Sequence, residues 1–141
     1  MIKLFDLKKQ YKLFDKKINK EICSILSSGN YILGKNVSKL ERDTQQYLNS
    51  NYTISCNSGT DALVLSLRAL NVGINDEVIT SPFTYFATAE AISLVGAKPI
   101  FADINPDTFN INPQNIKKCI SKKTKAIISV NLFGQACELE E

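Results

Sequence analysis

The stretch Tyr52-Thr53-Ile54-Ser55-Cys56-Asn57-Ser58-Gly59-Thr60-Asp61-Ala62-Leu63 carries most of the information in this chain. Tyr52 to Cys56 reads as an apolar strand, and Ala62, Leu63, Leu65, Leu67, Ala69 and Leu70 read as a helix starting at Thr60. The residues between them are small or hydroxylated, which is the local layout of a phosphate cradle. A helix N-terminus offers unpaired N–H groups and about half a positive charge. Gly59 would let a phosphate approach the backbone, and the hydroxyls of Ser58 and Thr60 would add donors. The plainer reading is that Ser58 or Asn57 caps a structural helix, with Asp61 complementing the dipole in its first turn.

A second run, Ser81-Pro82-Phe83-Thr84-Tyr85-Phe86-Ala87-Thr88-Ala89, follows the strand candidate Glu77 to Thr80. Ligands of open α/β sheets bind beyond the carboxyl ends of strands, so Tyr85 or Phe86 could cover the face of a flat heterocycle there. Core packing and an N-cap at Thr84 are the plainer alternatives.

Outward from these runs, strands alternate with helices, the pattern of a sheet built from βαβ units. The remaining strand candidates are Pro99 to Ala102 and Lys125 to Val130, and the helix candidates are Thr60 to Leu70, Thr84 to Val95 and Pro113 to Ile120. Asn112 is expected as N-cap of the last, with Pro113 at its first position. The helix from Thr60 is apolar nearly all round and is expected to be buried between layers. Residues 1–50 read as a helical N-terminal segment instead, and 51–141 as the α/β part. Leu7, Tyr11, Phe14, Ile18, Ile22 and Ile25 recur at helical spacing, predicting one amphipathic docking helix over about 7–27. Ser27-Ser28-Gly29-Asn30 stops it. A second helix from about Asn36 to Leu48 should turn Val37, Leu40, Tyr47 and Leu48 inward.

The chain has 141 residues, a net charge of +3, four cysteines and no histidine. Its lysines are dispersed among acids rather than gathered in the basic stripe of a nucleic-acid binder. The cluster Lys117-Lys118 with Lys122, Lys123 and Lys125 reads as ordinary surface. No apolar stretch reaches the roughly 20 residues that cross a bilayer, and the first residues lack a signal-peptide layout, so a cytoplasmic location is expected. Cys23, Cys56, Cys119 and Cys137 are irregularly spaced without a C-x-x-C pair, which argues against zinc sites and disulfides, and Cys56 is expected inside a strand. Without histidine there is no Ser-His or Cys-His pair within the chain.

In order and spacing the two runs resemble those of the DegT/DnrJ/EryC1/StrS family of pyridoxal-phosphate-dependent sugar aminotransferases. The resemblance extends through Phe5 to Tyr11, Ser28 to Gly34, Ser58 to Leu63, Asp76 to Thr80, Pro82 to Ala89, Gly96 to Ile104 and Asn131 to Gln135. It implies the N-terminal part of the large domain of a fold type I aminotransferase. The implied cofactor is pyridoxal 5'-phosphate, with its phosphate held by Ser58, Gly59, Thr60 and Asp61 and its ring stacked on Tyr85. The implied reaction moves an amino group from glutamate to a nucleotide-linked keto sugar, in a homodimer whose active site is shared.

The resemblance also implies a Schiff-base lysine and a carboxylate for the ring nitrogen, both placed in the family beyond the Gly134-Gln135 segment, the acid in an E-D-x-A-Q motif. Asp103 matches an earlier acid, so no catalytic residue is assigned, and no metal. The chain by itself is expected to be catalytically inert and poorly stable. Asn131 stands where the family often has histidine, and Ala136-Cys137 also departs from its pattern. A non-catalytic binding or assembly module derived from the same fold is the alternative; an unrelated nucleotide-binding module would lack its usual G-x-G-x-x-G or G-K-[ST] loop here.

Overall fold

The computed structural model describes residues 5–140. It divides into two compact units, Met1–Ser55 and Cys56–Glu141.

The first unit holds α1 (Leu7–Ser28) and α2 (Lys35–Leu48). Asp6 caps α1, its carboxylate accepting the Lys9 N–H at 3.0 Å, and Gly29 closes the helix at φ 66. The predicted stripe of α1 exists, but Leu7, Tyr11, Phe14, Ile18 and Ile22 all lie exposed. On α2, Val37 is half-buried, whereas Leu40, Tyr47 and Leu48 are exposed rather than inward. Periodicity identifies the apolar side of a helix and is silent on what covers it.

Tyr52–Cys56, expected as a strand, has no ladder partner among the described residues and runs as irregular chain. The Ser55 N–H and hydroxyl are taken instead by the Glu41 carboxylate, at 2.9 and 2.8 Å. These bonds, the backbone one foremost, hold the Glu41 carboxyl below its ordinary value. Because the folded-state pKa is depressed, the tie is fully present above the unfolded value of about 4.3 and is lost as pH falls through the folded one. Acid titration followed by NMR should show faster exchange of the Ser55 amide below that range. Glu41→Gln should abolish this pH dependence.

In the second unit, α3 (Gly59–Ala69), β1 (Glu77–Thr80), α4 (Ala87–Leu94), β2 (Lys98–Phe101), α5 (Pro113–Cys119) and β3 (Thr124–Ile128) alternate as predicted. The three strands are parallel in the order β2-β1-β3, with Val78 opposite both Pro99 and Ala126. Lys98 and Ala102 donate their N–H groups to Asp76 and Thr80 at 2.9 Å. By alternation Pro99 has its missing donor on the outer edge of β2, where a strand tolerates proline.

From β1 the chain steps to β2 on one side and then across to β3 on the other. Crossovers of one hand therefore put α4 and α5 on opposite faces. The cores agree: Val78, Leu67, Ala91 and Ile92 pack on the α3 and α4 face, and Ile79, Ala102, Ile111 and Cys137 on the α5 face. Thr80, fully buried, satisfies its hydroxyl by donating to the Ile128 carbonyl at 3.0 Å.

Gly96 makes the turn from α4 into β2 at φ 85, where a Cβ would also meet Ile74 at 3.0 Å. Asn112 caps α5 with Pro113 at its start, as predicted. Helix α3 departs from expectation, since Leu67 is buried but Leu65 and Leu70 are exposed. One of its sides packs on α4 and the sheet, and within the second unit the other is left uncovered. Helix α4 starts at Ala87 rather than Thr84, with Phe86 at its N-cap, and the Thr84 hydroxyl pairs with that of Thr88 at 2.9 Å. Lys117 and Lys118 occupy the last turn of α5, where cations suit the helix dipole, and Lys122, Lys123 and Lys125 are exposed. No helix among the described residues is long and apolar enough to cross a membrane.

Candidate cofactor site

Helix α3 hands the chain through residues 70–76 to the start of β1, and α4 leaves the end of β1 and returns to the start of β2. Both helices thus run against the strands, and they pack on one another. Their N-termini, carrying Ser58 to Asp61 and Tyr85 respectively, therefore lie at the carboxyl edge of the sheet. The connections from β1 and β2 depart to opposite faces there, the arrangement that opens a ligand crevice in α/β sheets.

Ser58 is the N-cap of α3: its Oγ accepts the Asp61 N–H at 3.1 Å and donates to Asp61 Oδ2 at 3.0 Å. This is half of a capping box, and it engages both residues locally. The Ala62 N–H reaches the Ser58 carbonyl at 3.0 Å. The N–H groups of Gly59 and Thr60 have no acceptor among the described residues. A Cβ built on Gly59 would meet nothing within 4 Å, so the backbone at Gly59 is open on that side. Two free amides, the dipole of an 11-residue helix and the Thr60 hydroxyl form a donor set that fits a phosphate group. The Asp61 carboxylate has the wrong sign for a phosphate ligand; what it shows is a bond accepted from the Ser58 hydroxyl.

Of the aromatic run, Tyr85 is 82% exposed and Phe86 72%, so neither belongs to the core. The ring that packs is Phe83, against Phe109, with centroids 5.8 Å apart and planes at 41°. The Tyr85 carbonyl accepts the Thr88 N–H at 3.1 Å, and its side chain is exposed. Cys56, exposed and outside any strand, places its thiol 3.3 Å from the Ser58 carbonyl. Asp103 accepts the Ile104 N–H at 2.8 Å and serves a turn.

The departures around Gly134-Gln135 have local structural roles. Asn131 Oδ1 accepts the Cys137 N–H at 2.9 Å, and Cys137 belongs to the buried cluster around Ile79. The same loop is held by Asn110, a residue that sequence reasoning missed. Its Nδ2 donates to the Gln135 and Ala136 carbonyls at 3.2 and 3.0 Å, and its Oδ1 accepts the Leu132 N–H at 3.4 Å. The chain after β3 is thereby drawn across the carboxyl edge to the segment that follows β2. A sequence signal that could have pointed to this neighbourhood is the turn composition of Asn105-Pro106-Asp107.

Residues 12–141 match the model of the DegT/DnrJ/EryC1/StrS aminotransferase family. The UDP-2-acetamido-2-deoxy-3-oxo-D-glucuronate aminotransferase of Pseudomonas aeruginosa is 46% identical over 140 residues, which are 99% of this chain and 39% of that protein. The structure of S. venezuelae DesV in complex with a ketimine intermediate superposes with a TM-score of 0.95 at 32% identity, covering 99% of this chain and 38% of that one. NtdA from Bacillus subtilis with bound PMP superposes with a TM-score of 0.86 at 34% identity, over 89% of this chain and 29% of that one. The chain spans about two fifths of the length of the curated relatives it matches. With its parallel sheet, its capped α3 and this match over nearly its whole length, the chain belongs to the DegT/DnrJ/EryC1/StrS aminotransferase family.

Proposed function

We propose that this chain supplies the cofactor-phosphate side of an aminotransferase that uses pyridoxal 5'-phosphate to move an amino group from glutamate to a nucleotide-linked keto sugar, within a homodimer. The observation that carries the reading is the pair of amides at Gly59 and Thr60 without an acceptor among the described residues, at an uncrowded Gly59 and at the sheet edge that also carries Tyr85. The sugar-nucleotide substrate rests on the name of the Pseudomonas aeruginosa relative. When bound, the cofactor contributes an electron-withdrawing ring, the chemistry that amino transfer requires.

The residues of this chain bind and orient. Gly59 and Thr60 N–H with the Thr60 hydroxyl hold the phosphate, Ser58 and Asp61 fix the first turn that aims those donors, and Tyr85 covers one ring face and excludes water from it. The exposed apolar stripe of α1 favours the second reading, a non-catalytic binding or assembly module.

Pyridoxamine 5'-phosphate separates the two, because it lacks the aldehyde that would react with any exposed lysine. It should bind at least about tenfold more tightly than pyridoxamine, the difference expected from charge-assisted bonds to its phosphate. Thr60→Ala should reduce that preference. Equal affinity for the two compounds, measured by calorimetry, would sink the cofactor reading and leave the binding module.

A further inference from the structure

Phe109 has φ 60, in the left-handed region that a bulky side chain enters only under constraint. The constraint is a closed turn. Asn105 N–H donates to the Asn110 carbonyl at 2.9 Å, Phe109 N–H donates to the Asn105 carbonyl at 2.8 Å, and Ile104 bridges Ile111. Asn110 then ties the turn to the loop after β3. Elsewhere the chain places asparagine in this conformation, at Asn49, Asn71 and Asn75, with φ between 49 and 72. Asparagine tolerates it at little cost. Of the bulky residues that share it, Leu33, Phe109 and Phe133, Phe109 is the one whose side chain packs on an aromatic ring.

That ring belongs to Phe83, two residues before Tyr85. The Phe83 N–H is bonded to the hydroxyl of buried Ser81 at 3.0 Å, and Thr84 is bonded to Thr88. The segment from Ser81 to Phe86 is thus anchored at the strand and at the helix, and Phe109 supports it between the two.

We propose that Phe109 is a positioning residue for Tyr85: by bracing Phe83 it fixes the loop that presents the Tyr85 ring at the carboxyl edge. The proposal rests on the reading of Tyr85 as the residue that covers the cofactor ring. Strained backbone retained where a relaxed residue would fit is a recognised mark of functional positioning.

The test compares Phe109→Asn, which suits the backbone and removes the ring, with Phe109→Tyr, which keeps both the ring and the strain. Melting temperature, amide exchange at Phe83 and Thr88 without cofactor, and affinity for pyridoxamine 5'-phosphate are measured in the full chain. Phe109→Asn should melt no lower than the parent. It should exchange faster at both amides and bind more weakly, each by about threefold to tenfold, the range that an aromatic pair of this kind supports. Phe109→Tyr should restore both.

Unchanged exchange in Phe109→Asn, or a tyrosine variant that behaves like the asparagine one, overturns the proposal. A lowered melting temperature with faster exchange throughout the sheet also overturns it, because the ring would then be ordinary packing. If the parent chain fails to bind pyridoxamine 5'-phosphate, the cofactor reading falls alone, and the exchange comparison still decides whether Phe109 braces the loop.

Discussion

Thr60→Glu is expected to weaken the binding of pyridoxamine 5'-phosphate by about 100-fold while leaving the melting temperature unchanged or slightly raised. Thr60 is the second residue of α3, half-buried beside the two free amides. A carboxylate there would stand roughly 5 Å from a bound phosphate and repel it by about 3 kcal/mol per unit charge at an effective dielectric of 20. Solvent at the open edge screens part of this, and the double charge of the phosphate restores part. The same carboxylate lies in the first turn of a helix, where a negative charge contributes about 0.3–1 kcal/mol of stability. Binding and stability should therefore move independently. Calorimetric titration with a parallel thermal melt checks this, and intact binding in Thr60→Glu would show that the phosphate is held somewhere other than α3.

What could be read from the sequence depended on whether a residue's partner was local. Glu77 to Thr80 is a strand with the predicted bounds, since a short apolar run between the turn at Asp76 and Ser81-Pro82 has little alternative. The cap of α5 was equally legible, because Asn112 and Pro113 act within their own turn. Tyr52 to Cys56 failed as a strand because a strand is a pairing, and pairing partners do not announce themselves in the segment. The predicted burial of α3 failed for a related reason, as composition cannot say how many of its sides are covered. At the site, the order of Ser58 to Asp61 and Tyr85 was visible. The sequence allows the Ser58 hydroxyl to be either a phosphate donor or a helix cap, and its bonds to Asp61 make it the cap. Phe109 was invisible, since a positive φ at phenylalanine has no sequence signature.

The consequence for the site is a division of labour among residues that look alike in sequence. Ser58 and Thr60 are both hydroxylated neighbours of Gly59, yet one closes the helix and the other stands beside unpaired amides. Phe83 and Tyr85 are both aromatic, yet one packs and the other is displayed. In each pair one residue is committed to a local bond or contact and the other is left unengaged.

Asn110→Asp is expected to be the most damaging single-atom change in the second unit. Asn110 is 5% exposed, and its Nδ2 donates to two carbonyls, Gln135 and Ala136. Aspartate replaces that donor by an oxygen facing the two carbonyl oxygens, so two bonds become two repulsions, and the buried charge keeps only the long bond from the Leu132 N–H at 3.4 Å. The cost should be about 3–5 kcal/mol, a large share of the stability of a small unit. Asn110→Leu, which removes the donor without adding charge, should cost about 1–3 kcal/mol.

Only the first of these variants has a penalty that changes with pH. Burial against two carbonyl oxygens raises the folded-state pKa of an aspartate above its unfolded value of about 3.9, so the penalty is full above the folded pKa and fades as pH falls below it. Once protonated, the carboxyl donates one of the lost bonds. Denaturant melts at pH 7 and pH 4 should show Asn110→Asp recovering relative to Asn110→Leu at the lower pH. A pH-independent gap between them would mean that water already reaches the two carbonyls. Donation by Asn110 would then not be what holds the chain after β3 across the carboxyl edge.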